Sequence, residues 1–384
     1  KRCTAAMLAA AIGMTTLAAN VSAATSGVSI GYTWNSSVNP TIKNRKNGVT
    51  GGVSGQYIKA GEQICRFSPS STSDWAFCIE PAKSMQGASY KDWYTQNGFT
   101  KYDTFDLSDK NKADSFAYWK SIGGTDGPMA KYLGLVQYYG YSSHKTGDYY
   151  AATQCLIWEL ILGYRGHTQA GFGKCSDILW NDFTYPSGGW CTRSGVEKAY
   201  NDIVSNVKDH YKLPSAMRST KAQAKDEPNV MKYNAENLRY ETKVTVPTSY
   251  VTASSLAHNF SSLESKLGSL IKSKFSGTFG KDYGLETEMS GTNTVYTIWS
   301  KERQFTSSGD SSIYVTESIP MQMKNSLKKQ ETLFANSYYQ TCLLSTRLDP
   351  VVGYVGLASY NEPNLTVEKL SLIHISEPTR HSLI

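Results

Sequence analysis

Asp148-Tyr-Tyr-Ala-Ala-Thr-Gln-Cys-Leu-Ile-Trp-Glu-Leu-Ile-Leu-Gly163 is the stretch on which the reading of this chain turns. It has no internal breaker, and Asp148 and Gly163 can cap its two ends, so a helix is predicted over 149–162. On that helix Ala151, Gln154, Trp158 and Ile161 fall within one stripe through i, i+3 and i+4 neighbours. A carboxamide in an apolar stripe costs about 1–3 kcal/mol unless it is hydrogen-bonded. Taken alone, Gln154 therefore reads as a core glutamine satisfied by backbone. Glu159, the one charge in the helix body, faces elsewhere. Cys155 points about 100° away from Gln154, which assigns it to packing or to a disulfide.

Upstream, residues 75–79 read as a short strand that Pro81 stops. Along Phe77-Cys-Ile-Glu-Pro81, alternation puts Phe77 and Ile79 on one face and Cys78 and Glu80 on the other. The Cys78 thiol thus shares a face with a proton acceptor. By itself Cys78 reads as half of a disulfide or as a small buried hydrophobe.

Together the two segments carry a sharper reading. Aromatic-Cys78-Ile79-Glu80, followed downstream by Thr153-Gln154-Cys-Leu-Ile-Trp158, resembles the thioester domains of Gram-positive surface adhesins. The resemblance covers roughly residues 28–212. Its one departure is Leu156, where Ala is usual, and this leaves Gln154 and Trp158 in register. The resemblance implies an internal thioester between Cys78 Sγ and the side-chain carbonyl of Gln154, formed with loss of ammonia and with no cofactor or metal. Glu80 would take the thiol proton, Thr153 would support the site, and Trp158 would shield the bond from water. A lysine amine of a host surface or plasma protein, fibrinogen being the first to try, would attack the thioester and leave an isopeptide. Such a protein is a single-turnover covalent binder rather than an enzyme, monomeric, and anchored to the cell wall by domains beyond those seen in this chain. Gly61-Glu62-Gln63 echoes a different thioester motif, Cys-Gly-Glu-Gln, but Ala60 stands where its Cys would be.

Working outward, residues 25–67 are strand-like and 91–214 are expected to be helical, with helices over 113–122, 129–139 and 196–211. Residues 215–230 are polar and Pro-terminated and read as a linker. Beyond it, Tyr240-Glu-Thr-Lys-Val-Thr-Val246 and Thr294-Val-Tyr-Thr-Ile-Trp299 alternate with period two, as half-buried strands do. Leu256, Phe260, Leu263, Leu267 and Leu270 lie at helical spacing between them, and the type of segment 255–275 stays open. The predicted fold is an α+β thioester domain over 24–214, with a β subdomain and a helical subdomain. A mainly-β domain follows over 231–369, and Leu238-Arg-Tyr-Glu-Thr and Asp349-Pro-Val-Val-Gly-Tyr354 resemble the β-sandwich that often follows such thioester domains.

Both chain ends stand apart. Lys1-Arg2, an apolar run and Val21-Ser-Ala23 read as a partial secretory signal peptide over 1–23. Leu370-Ser-Leu-Ile-His-Ile-Ser-Glu-Pro-Thr-Arg380 resembles a translated sequencing adaptor, so 370–384 are read as foreign to the protein. Of 384 residues, 40% are hydrophobic and 12% aromatic, which excludes a disordered tail. The net charge of +7 falls to +5 without Lys1 and Arg2, and no basic run with interleaved aromatics points to nucleic acid. Six of the seven Cys remain after the signal segment, and export makes disulfides the default, with Cys175 and Cys191 offered as a local staple. No CxxC pair argues for zinc. Two other functions fit the composition. One is a non-covalent glycan- or protein-binding module that uses the abundant Trp and Tyr. The other is a cysteine hydrolase or transglutaminase-like enzyme with Cys78 as nucleophile and His144, His167 or His210 as base.

Overall fold

The computed structural model describes residues 25–43, 45, 52–85, 91–103, 117–124, 127–252, 260–304, 316–322, 331–345, 348–349 and 351–359. The expected signal segment and the adaptor-like tail lie outside these residues. In chain order the elements begin with strands β1 (Thr25–Trp34), β2 (Thr41–Ile42), β3 (Ser68–Pro69), β4 (Phe77–Cys78) and β5 (Lys91–Tyr102). Helices α1 (Ala117–Ser121), α2 (Pro128–Gln137) and α3 (Gly147–Ile161), strand β6 (Phe183–Thr184) and helix α4 (Arg193–Asp209) follow. Next come α5 (Lys221–Asp226), β7 (Asn229–Asn234), β8 (Arg239–Pro247), α6 (Thr248–Thr252) and α7 (Leu263–Lys274). Strands β9 (Tyr283–Ser290), β10 (Asn293–Ser300), β11 (Thr316–Gln322), β12 (Glu331–Ala335), β13 (Cys342–Ser345) and β14 (Val352–Ser359) complete the order. The fold is mixed α and β, and it divides into two compact units. One is Lys1–Asp209 with Leu327–Asp349, the other His210–Ser326 with Pro350–Ile384.

The first unit is built on a six-stranded sheet in the order β3-β1-β5-β12-β13-β4. Val28, Ile30 and Tyr32 of β1 are buried at the period of two expected of a strand. The helical expectation for residues from Lys91 onward is corrected here, because 91–102 form the long strand β5. Its Tyr94, Thr95, Phe99 and Thr100 are strand-forming types. Tyr94 lies opposite Tyr32, with the rings stacked at 5.4 Å. Of the helix expected over 113–122, α1 is the part that falls within the described residues.

Helix α2 starts with Pro128 in its first turn, where a missing N–H costs nothing. It runs into a π-turn, Tyr138–Ser142, whose Gly140 packs onto α3. A Cβ on Gly140 would stand 2.1 Å from Thr153 Oγ1, so this approach requires glycine. Helix α3 is capped by the Thr146 side chain on Tyr149 N–H, not by Asp148 as its sequence suggested. Asp148 is engaged elsewhere and accepts the Thr192 N–H at 2.8 Å. Gly163 closes the helix with a φ of +74°, as read from the sequence. Every residue from Tyr150 to Ile161 is buried, so α3 is wrapped on all sides rather than along one stripe. Amphipathic α4 covers part of it with Val196, Ala199, Tyr200, Ile203 and Val207.

The second unit carries the other six-stranded sheet, in the order β11-β14-β7-β8-β10-β9. Leu263, Leu267 and Ile271 of α7 join Val244, Val246, Tyr296, Ile298, Val355 and Leu357 in its core. The open segment is therefore helical from Leu263, while Leu256 lies outside the described residues. Among the described residues one sheet with a helix over it takes the place of the two facing sheets that a sandwich needs. Two sequence boundaries also change. The stretch 215–230 is structured: Ala216, Met217 and Ala224 are buried, and Thr220 caps α5. Its polar composition hid three core residues. The division into consecutive blocks 24–214 and 231–369 gives way to a discontinuous one, because β12 and β13 return to the first unit's sheet between β5 and β4. Leu333, Phe334 and Leu343 are buried there, which fixes the insertion. Among the described residues no helix is long and apolar enough to cross a membrane.

Candidate functional site

Cys78 lies in β4, at one edge of the first unit's sheet. On its inner side β4 pairs with β13, Phe77 opposite Leu343 and Cys78 opposite Cys342. On its outer side the carboxamide of Gln154 takes the place of a further strand. Cys78 N–H donates to Gln154 Oε1 at 2.9 Å, and Gln154 Nε2 donates to the Cys78 carbonyl at 2.8 Å. An edge strand must have its free backbone groups paired or covered, and one side chain does both here. Cys78 and Gln154 are each fully buried, so the two expected reactive residues meet in a site that excludes water. The same contacts also meet the plain requirement of a core glutamine bonded to backbone.

The supporting residues come from the same two segments. Thr153 Oγ1 donates to Tyr149 O at 2.6 Å and accepts from Tyr141 N at 3.1 Å, tying the π-turn to α3. Tyr141 then packs edge-on against Phe77 and Tyr150. The indole N–H of Trp158 is buried and has no hydrogen-bond partner among the described residues. It stands near the Cys78 thiol, and it and the Glu80 backbone N–H favour the thiolate. Burial outweighs both and pushes the Cys78 thiol up, with the Glu62 and Glu80 carboxylates adding to the rise. The Glu80 side chain is occupied: Oε2 accepts from Thr341 Oγ1 at 2.7 Å and from Thr341 N at 3.3 Å, and Oε1 pairs with Lys83 at 3.0 Å.

The Cys175–Cys191 staple is corrected, since both residues are free thiols. Cys175 is drawn into a bridge with Arg165 and sets its sulfur on the Asp177 carbonyl at 3.1 Å, whereas Cys191 is buried with Asp148 and Arg66 as its charged neighbours. Of the proposed bases, His144 stacks on Tyr149 at 3.8 Å and meets the Gly140 carbonyl. His167 lines a cavity of about 340 Å³ with Ser121, Met129 and Leu160, and His210 belongs to the other unit. The main groups acting on Cys78 are an indole, an amide and carboxylates, with no imidazole among them. Gln63, of the discounted motif, accepts from Asn39 Nδ2 at 3.0 Å. Among the described residues no group of three or more His, Cys, Asp or Glu is placed to hold a metal ion.

Four residues of the site escaped the sequence reading. Tyr150 stacks on Phe77 at 4.5 Å, and its hydroxyl reaches Ala76 O at 2.6 Å and Phe67 N at 3.2 Å, so it braces the approach to β4. Its place one turn before Gln154 was the available signal. Thr341 and Cys342 are brought in by sheet pairing alone and left no local signal. Glu62 is the fourth, and burial raises its pKa from 4.5 to about 7 against the pull of Lys59. Below about 4.5 the folded and unfolded forms are both protonated at this residue, and the stability linked to it is fully present. As pH rises towards 7 the unfolded chain has lost the proton that the folded one keeps, so about 3 kcal/mol of stability is lost over that window. Glu62→Gln should flatten this dependence and exceed wild type in stability at pH 8. Urea unfolding at pH 5 and pH 8 measures it, and equal slopes in the two proteins would refute the assignment.

No family model, curated protein or solved structure matches the chain.

Proposed function

We propose that this protein is a covalent adhesin of the Gram-positive cell surface, exported and held to the cell wall, whose first unit is a thioester domain. The single observation that carries the reading is the two-point pairing of the Gln154 carboxamide with the Cys78 backbone in a dry site. The pairing holds the carboxamide against the main chain of the residue that carries the thiol, across 76 residues, and so raises the effective concentration of thiol at the amide. The Cys78 sulfur adds to Cδ of Gln154, the C–N bond breaks, and the thiol proton leaves with the departing ammonia. The Trp158 and Glu80 N–H groups steady the sulfur as thiolate, both as it attacks and later as it leaves. Glu62 titrates near neutral pH, which suits a proton relay better than Glu80, whose oxygens are held by Thr341 and Lys83.

The thioester is a far better electrophile than the amide it replaces, and its burial slows hydrolysis. A lysine amine of a host protein attacks the acyl carbon, forming an isopeptide on Gln154 and releasing Cys78 as thiol. Methylamine should do the same, and with a reductant present peptide mapping should place one adduct on Gln154 and a free thiol on Cys78. An adduct at another Gln, or none at all, would overturn the reading. One observation favours a second, non-covalent role in the same unit. Arg66 lies between Trp75 and Trp190, 4.3 and 4.9 Å from their ring centres, with no carboxylate partner among the described residues, as a docking surface for a polar ligand would require. A methylamine-inert protein that still bound its host ligand would support that alternative.

A further inference from the structure

Cys342 is the feature that the thioester reading leaves unused. It stands directly opposite Cys78 in the antiparallel pair β13–β4. Ile79 N–H donates to Thr341 O at 3.0 Å, one residue outside the pair, while the Cys78 N–H and C=O both turn outward to Gln154. Cys78 and Cys342 therefore form a non-hydrogen-bonded pair. In such pairs the Cα atoms stand roughly 4.5 Å apart and the side chains project together from one face. A disulfide spans Cα separations of roughly 4.4–6.8 Å. Both thiols are free and fully buried.

We infer that Cys342 is the resolving thiol of this site, closing a cross-strand disulfide with Cys78 whenever Cys78 is not acylated. The inference rests on the proposed thioester only for its consequence. Attack of Cys78 on the Gln154 amide expels ammonia, and the same attack on the captured isopeptide would expel the lysine amine. A site able to form the bond is thus able to undo it while the freed thiol persists. Disulfide formation removes that thiol and makes the attachment permanent. The balance is that of thiol–disulfide exchange: Cys78–SH and Cys342–SH with one oxidised low-molecular-weight disulfide give the protein disulfide and two reduced thiols. An oxidising extracellular compartment supplies that oxidant. Because both sulfurs are buried, exchange proceeds when the site opens, either as the chain folds or as the amine enters.

The test uses the full chain. Gln154→Glu, which has no amide to lose, is produced in an oxidising and in a reducing compartment and mapped without reduction. A Cys78–Cys342 cross-linked peptide is expected from the first and not from the second, and Cys342→Ala added to it abolishes the cross-link. Wild type is then treated with methylamine, and the amine is removed. With a reductant present the ammonia-light mass should return, whereas with oxidised glutathione it should not. Cys342→Ala should recover with the reductant present, and with oxidised glutathione it should stop as a Cys78–glutathione mixed disulfide, whereas wild type loses two hydrogens and keeps no glutathione. Pairing of Cys342 with Cys65, alkylatable Cys78 and Cys342 after oxidative production, or glutathione retained on Cys78 of wild type as in Cys342→Ala would each overturn the inference. If the cross-link forms while wild type never shows the ammonia loss, the disulfide stands and the thioester reading alone falls.

Discussion

Gln154→Ala is expected to abolish methylamine incorporation entirely and to destabilise the first unit as well. The two effects have one origin. Among the described residues the carboxamide is the only hydrogen-bonding partner of the Cys78 N–H and C=O on the open side of β4. Removing it leaves two buried backbone groups unpaired, at about 1–3 kcal/mol each. Gln154→Glu keeps an acceptor for the Cys78 N–H, so it should be affected less in stability while being equally dead towards methylamine. Urea denaturation and intact-mass analysis of both variants read the two effects separately. A Gln154→Ala protein as stable as wild type would show that the carboxamide does not hold the strand edge.

Arg165→Met is the second large effect, on stability alone. Glu159 points away from the reactive stripe, as its place on the helix indicated, into a buried cluster behind α3. Its Oε2 takes Arg165 Nε at 2.8 Å, its Oε1 takes Leu179 N at 3.0 Å, and the Tyr200 hydroxyl donates to it at 2.7–2.8 Å. The Arg165 and Glu159 side chains are 2% and 0% exposed. Burial holds the Glu159 carboxyl above its ordinary range, with the Arg165 charge and the Tyr200 and Leu179 hydrogen bonds opposing the rise. Losing the guanidinium would strand a buried carboxylate, at about 3–5 kcal/mol. The double variant Glu159→Gln with Arg165→Met should recover part of that loss, because no buried charge remains. Chemical denaturation of the two variants checks it, and a fall below 1 kcal/mol in Arg165→Met would mean that the cluster is solvated.

What was legible in the sequence follows the range of the forces involved. Helix α3 could be read because its closing Gly163, its lack of breakers and its apolar content are local, although Thr146 rather than Asp148 caps its start. Cys78 and Gln154 were singled out only through the resemblance of their two segments to a known motif, since each alone reads as an ordinary core residue; the structure brings the two together. The partners of Glu80 could not be read, since Thr341 lies 261 residues away and nothing near Glu80 announces it. The same holds for β12 and β13, which the sequence leaves inside the second domain expected over 231–369, whereas the sheet order places them beside β5 and β4. The stretch 215–230 failed for the opposite reason: local polarity was given weight over three buried apolar residues. Residues 91–102 failed because strand-forming aromatics were taken into an adjoining helical run.

The central claim is that Cys78 and Gln154 join without help from any other molecule. The intact mass of wild-type protein, purified under reducing conditions that leave thioesters intact, tests it most directly. Wild type should be lighter than its sequence by one ammonia, and Cys78→Ala should weigh what its sequence dictates. A wild-type protein at full sequence mass, with disulfides accounted for by two hydrogens each, would contradict the claim and leave Gln154 as a structural clamp on a strand edge.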